Sequence, residues 1–178
     1  MVVNALHFAR ATPLPDAVRD WHRLGELAAQ LRDQRVRAYP AMIADGRMTA
    51  SGAATRLRII TAIAAQWDAV LRGQALPPVE DYREKLGADA ADMLDECADI
   101  AVRADARTAA AAAALADPEN TTVKQADVRR CADQAMLAGA LHWHQQPIND
   151  GAIHPHIWIA HDFHQWQRHQ RATAARAA

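Results

Sequence analysis

Residues 49–73 read TASGAATRLRIITAIAAQWDAVLRG. Leu57, Ile60, Ala64, Trp67 and Leu71 recur every three or four positions, flanked by Ile59, Ile63 and Val70. Arg58, Thr61, Ala65, Asp68 and Arg72 fall between them. A period of 3.6 residues gathers the first set on one face and the second on the opposite face, so the stretch is an amphipathic helix. Thr49 is a residue type whose oxygen accepts from the free N–H groups of a first turn. Gly73 is the type that closes a helix in left-handed backbone.

Upstream, a helix is expected from about Asp16 to Asp45, with Trp21, Leu24, Leu27, Leu31, Tyr39 and Met42 in one arc. Pro15 and Asp16 suit its first turn, and Gly46 ends it. Pro40 is expected to bend or interrupt this helix, because its ring removes a donor and crowds the preceding turn. The connection to the second helix is about four residues, too short for anything but an antiparallel hairpin. Downstream, the Pro77-Pro78 step marks a linker, and a short helix is expected from Val79 to Leu86. Longer helices follow over about 88–116 and 122–145, and a last one begins near Pro155 and fades into RATAARAA. The expected fold is all-α: a bundle of five or six helices opening with an antiparallel hairpin. It divides into an N-terminal hairpin (1–73) and a C-terminal helical region (79–178), or forms one domain overall.

Composition agrees. Apolar residues make up 51% of the 178, but many are alanine, so helices must approach closely to bury enough area. No window nears the ~20 consecutive apolar residues of a membrane span. The start, MVVNALHFARATPLPD, lacks the charged, apolar and cleavage regions of a secretory signal. Cys97 and Cys131 form neither a CxxC pair nor a disulfide framework and are expected as small core residues. A cytoplasmic location is expected, with no membrane partner.

The net charge is −1, which gives the whole molecule no pull towards nucleic acid. Its distribution is uneven. Seven arginines (32, 35, 37, 47, 56, 58, 72) stand against three aspartates over residues 27–72, whereas eleven acids stand against Arg83, Lys85, Arg103 and Arg107 over 79–120. Such blocks in neighbouring helices ordinarily face each other or water.

Three constellations carry chemical potential. Seven of nine histidines lie at 142, 144, 154, 156, 161, 164 and 169, interleaved with Trp143, Trp158, Phe163 and Trp166. His161 and His164 share a helix face, and His142, His144, His154 or His156 would complete a metal set. Surface, interface or packing roles are the first expectation for these histidines, with metal binding by two or more of them as the alternative. Ile159, Phe163 and Trp166 are expected on the buried face of the last helix. Second, Asp92, Glu96 and Asp99 form a carboxylate stripe that is expected on a solvated face, or else around a divalent cation. Third, Arg47, Arg56 and Arg58 surround the tip and arms of the first hairpin, where phosphates or a partner could be met. No GxSxG, HExxH or glycine-rich phosphate loop occurs, and neither cysteine sits among cations that would hold a thiolate.

Two resemblances attach to these residues. Glu96-Cys97-Ala98-Asp99-Ile100-Ala101 resembles the second carboxylate motif of the MazG-like nucleotide pyrophosphohydrolases. That implies Mg²⁺ held at Asp92, Glu96 and Asp99 against a triphosphate. The family's earlier Glu-x-x-Glu has only Glu80 and Glu84, differently spaced, as a counterpart. Residues 37–68, with Tyr39-Pro40, Gly46-Arg47-Met48-Thr49 and Arg56-Leu57 through Ile60 and Ile63, resemble a segment of small phage and prophage proteins of unknown function. That implies a helical hairpin and a phage-linked context.

The functional expectation is therefore a non-catalytic phage or prophage accessory protein that binds a macromolecule, without a cofactor. Arg47, Arg56, Arg58, Trp158 and Trp166 are its expected contacts, with a protein as first partner and nucleic acid at the arginine hairpin as second. The alternatives are a divalent-metal hydrolase of nucleotides or phosphodiesters and a structural homo-oligomer that buries the last helix.

Overall fold

The computed structural model describes residues 16–117, 119–149 and 153–177, and these form an all-α bundle. In chain order the helices are α1 (Trp21–Ala44), α2 (Ala50–Arg72), α3 (Tyr82–Lys85), α4 (Ala90–Ala116), α5 (Gln125–Gln145) and α6 (Ile157–Ala177). No strand occurs among the described residues; an isolated antiparallel bridge between Pro147 and Pro155 clips the α5–α6 loop. No helix is long and apolar enough to cross a membrane.

α2 lies at the centre because its sequence is apolar over most of its circumference. Ile59, Ile60, Ala62, Ile63, Ala64, Trp67 and Val70 are buried, and from Ile59 onward the exposed positions are Thr61, Ala65, Asp68 and Arg72. Thr49 caps it, its hydroxyl accepting from the Gly52 N–H at 3.1 Å. At the other end Gly73 adopts φ 62°, and the Gln74 N–H returns to the Ala69 carbonyl at 2.8 Å. α1 packs antiparallel to α2: Gly25 lies against Leu71 and Trp67, while Arg35 bonds the carbonyl of Arg56. A side chain at position 25 would meet Leu71, so this glycine sets how closely the two helices approach.

α4 and α5 pack together as a second hairpin around an eight-residue turn in which the Asn120 side chain accepts from Thr122 and Val123 N–H groups. α2 touches α4, α1 touches α5, and α6 lies on α2. One contiguous buried cluster runs through these elements, from Val18 and Leu24 through Trp67, Met93, Cys97 and Leu141 to Ile157 and Ala160.

Several expectations need correction. Pro40 neither stops nor interrupts α1, which continues to Ala44. The side chain is exposed, and one missing donor is tolerated where the helix is held by α2 on its other side. The helix starts at Trp21, not Asp16, because Asp16–Arg19 form a turn in which Ala17 has φ 66°. Pro15 lies outside the described residues. The expected helix 79–86 is a 3-10 turn (Val79–Asp81) followed by the single turn of α3. The last helix does not fade at RATAARAA but runs to Ala177. Cys97 is buried, whereas Cys131 is only half-buried.

Candidate functional site

The basic block on the first hairpin and the acidic block on α4 meet. Arg35 of α1 and Glu96 of α4 are 9% and 6% exposed, and the Arg35 guanidinium donates to Glu96 Oε1 at 2.5 Å. Its other nitrogen donates to the Arg56 carbonyl at 3.1 Å. Arg103 also donates to Glu96 Oε1 at 3.3 Å, and Arg56 stands 3.9 Å from it. Arg56 and Arg103 both reach Asp99 at 3.3 Å. One turn earlier, Arg58 donates to the Gly87 carbonyl and lies 3.7 Å from Asp92. Arg83 pairs with Asp89 and lies 3.5 Å from Asp92. The Asp89 carboxyl is held below the usual range chiefly by the Asp92 N–H it caps, then by Arg83.

This cluster corrects the expectation of a solvated stripe at Glu96, which is inside the protein, while Asp92 is half-buried and Asp99 remains exposed. It also decides what the stripe can do. Asp89, Asp92, Glu96 and Asp99 face Arg35, Arg56, Arg58, Arg83 and Arg103, five cations for four carboxylates. Each of Asp92, Glu96 and Asp99 lies within 3.9 Å of a guanidinium, so a metal-bound triphosphate there would first have to displace arginines. By the same contacts Arg56 and Arg58 are turned towards α4. Arg47 is exposed at the hairpin tip and bonds Asp45 at 2.8 Å.

The histidines are distributed along the seam between α6 and the rest of the bundle rather than collected at a point. Buried His144 meets the Val18 carbonyl through Nε2 at 2.8 Å, with the Trp67 and Trp143 rings edge-on to it. Burial lowers its pKa to about 4, so it is neutral. His156 stacks on Trp143 at 3.9 Å, and its Nδ1 meets the Gln146 carbonyl. His154 is edge-on to Trp158. His161 bridges Asp162 and the Gln74 carbonyl, at 3.1 and 3.0 Å. His164 lies against Trp21 at 4.5 Å. His142 is half-buried on α5. Among the described residues, no three His, Cys, Asp or Glu side chains converge as a metal ion requires.

Sequence reasoning missed the polar fastening of α6. His161, Gln165 and Arg168 fall on one helical stripe over the carboxyl end of α2. The Gln165 amide donates to the Gly73 carbonyl at 2.6 Å, and the Arg168 guanidinium lies over the Gly73 α-carbon. Donors and a cation there satisfy the carbonyls a helix leaves free. The spacing 161–165–168 was visible in the sequence, but its target, 87–95 residues away, was not. A buried amide pair, Gln145 donating to Gln66 at 3.0 Å, was missed as well.

Of the two tryptophans expected as contacts, Trp158 is half-buried and donates to the Tyr82 hydroxyl at 2.8 Å, whose pKa burial raises to about 12. Trp166 is 55% exposed. It is not part of the buried face of α6, which ends with Ile159, Ala160 and His161. Phe163 is half-buried, edge-on to Trp21 at 5.2 Å, and Trp166 rests against Phe163 at 5.8 Å. From Arg168 to Ala175 every residue is exposed. No family model, curated protein or solved structure matches this chain.

Proposed function

We propose that this chain is a phage or prophage accessory protein that acts by binding a macromolecular partner, without catalysis, and that it presents the distal half of α6 to that partner. The observation that carries this reading is Trp166. A large indole more than half exposed beyond the well-packed turns of α6 is open to a partner, and tryptophan is enriched among the residues that anchor interfaces. The arginine–carboxylate pairing adds support, because residues that would serve a hydrolase are engaged with one another. The resemblance of residues 37–68 to phage-encoded segments supports the context.

The test pairs capture with chemistry. Tagged protein crosslinked in cells carrying the phage or prophage should recover a partner that Trp166→Ala loses while keeping the wild-type helical content and melting. Mg²⁺-dependent hydrolysis of nucleoside triphosphates that Asp99→Asn abolishes would sink the proposal in favour of an enzyme. Asp99 is exposed, so that variant should fold.

A further inference from the structure

We propose that α6 and the loop entering it form an acid-sensitive latch: in mild acid, protons on His144, His156 and His164 release α6 while the two hairpins stay packed together. The latch does not depend on what Trp166 contacts, so its failure would leave the partner reading standing.

The seam between α6 and the rest of the bundle is closed over imidazoles that have no place for a second hydrogen. An imidazolium donates from both ring nitrogens. His144 Nε2 already meets the Val18 carbonyl, and its Nδ1 is buried without a hydrogen-bond partner. The His156 backbone lies near enough to favour the charged ring but makes no hydrogen bond to Nδ1. Trp67 of α2 and Trp143 of α5 stand edge-on to the same ring. His164 likewise has its Nε2 buried and unpartnered, beside Trp21 of α1. His156 is half-buried and stacked on Trp143, with Nδ1 on the Gln146 carbonyl. Parting the seam gives these nitrogens water.

The charges around the rings oppose a further positive charge. His156 is the titratable group that acts on His144. His22 of α1 and His161, Arg168 and Arg171 of α6 act on His164. Arg19, next to Val18, is a further cation. The carboxylates of the surrounding elements are engaged or in water: Asp20 and Asp133 flank Arg23, Asp68 pairs with Arg72, Asp162 bonds His161, and Asp16 and Glu26 are exposed. Burial is the first cause that holds all three rings below the ordinary imidazole value, His144 at about 4. Released rings bind a proton below pH 6.5 and docked rings refuse it, so release is favoured as pH falls from 6.5 towards 4.

α6 gives way because it is the most lightly packed of the five long helices. The hairpins are joined through Arg35–Glu96, Arg56–Asp99 and Arg58–Asp92, pairs in which no histidine takes part.

The test is hydrogen–deuterium exchange on the full chain at pH 7.5 and pH 5, read by segment and corrected for intrinsic rates. His144 alone, at about 4 docked and 6.5 released, shifts the opening equilibrium about thirtyfold over that range. Residues 157–165 should therefore exchange at least about thirty times faster at pH 5, while residues 59–70 of α2 and 93–104 of α4 change several-fold less. His144→Gln, whose amide can still donate to the Val18 carbonyl, should remove about thirtyfold of that rise. His169→Gln, exposed on the same helix, should leave it unchanged. A rise spread equally over α2, α4 and α6, no rise in α6, or a rise that His144→Gln leaves intact would overturn the proposal. Should His144→Gln not fold, the wild-type His144 ring followed by NMR decides. Proton uptake near pH 6.5 with α6 exchange unchanged overturns the latch; a ring still neutral at pH 5.5 while α6 exchange rises sustains it.

Discussion

At the scale of single residues, His144 shows how position overrides type. In the sequence it belongs to a histidine-rich run with metal-ligand potential, yet it is buried among Trp67, Trp143 and the Val18 carbonyl. Its folded pKa of about 4 lies below the ordinary 6.5, so below pH 6.5 the unfolded chain binds a proton that the folded chain refuses. Its contribution is therefore complete above pH 6.5 and is lost as pH falls towards 4, amounting to about 3 kcal/mol across that window. His142, His156 and His164, also lowered by burial first, add in the same direction. Urea midpoints measured from about pH 7 to 4.5 should fall steadily, and His144→Gln should flatten the slope by about one proton. An identical slope in that variant would show that His144 is protonated in the fold.

At the scale of elements, α6 is two things in one helix. Its first half is fastened by Ile157, Ile159, Ala160 and His161 inside, and by Gln165 and Arg168 over the end of α2. Its second half has no such neighbours. The junction depends on Gly73, whose left-handed φ of 62° a side chain resists and whose bare α-carbon lets Arg168 lie flat against it. Gly73→Ala should cost about 1–2 kcal/mol for the backbone alone. It should also displace Arg168, seen as faster amide exchange through residues 161–168. A variant with wild-type exchange there would mean that the fastening does not run through Gly73. Heptad-like spacing made the helix itself legible, whereas the division at Trp166 depends on where the bundle ends, which no local pattern encodes.

At the scale of the whole molecule, Arg35 and Glu96 tie the first hairpin to the second. Neither charge is well solvated; Arg35 is compensated by Glu96, and Glu96 by Arg35 with Arg103 behind it. Glu96→Ala strands the Arg35 guanidinium and should cost about 3 kcal/mol in equilibrium unfolding. Arg56→Ala, at the more exposed rim of the same cluster, should cost under about 1 kcal/mol. Near-equal losses would indicate that the cluster is solvated throughout and does not join the hairpins. The opposite-sign blocks on the two hairpins were plain in the sequence. Their burial was not, because a carboxylate at a polar helical position has the same pattern whether water or an arginine from 61 residues away completes it.

The sequence by itself determined that the chain is helical, where α2 begins and ends, and that a short connection folds α1 back upon it. These follow from periodicity, capping and loop length, which act within a few residues. Only the tertiary structure decided which polar groups the bundle consumes: arginine against carboxylate, histidine against tryptophan, amide against amide. Pairing across the fold depends on the relative placement of helices, and long-range contacts of that kind leave no period in the chain. The same placement left Trp166 and the outer cations of α6 uncovered.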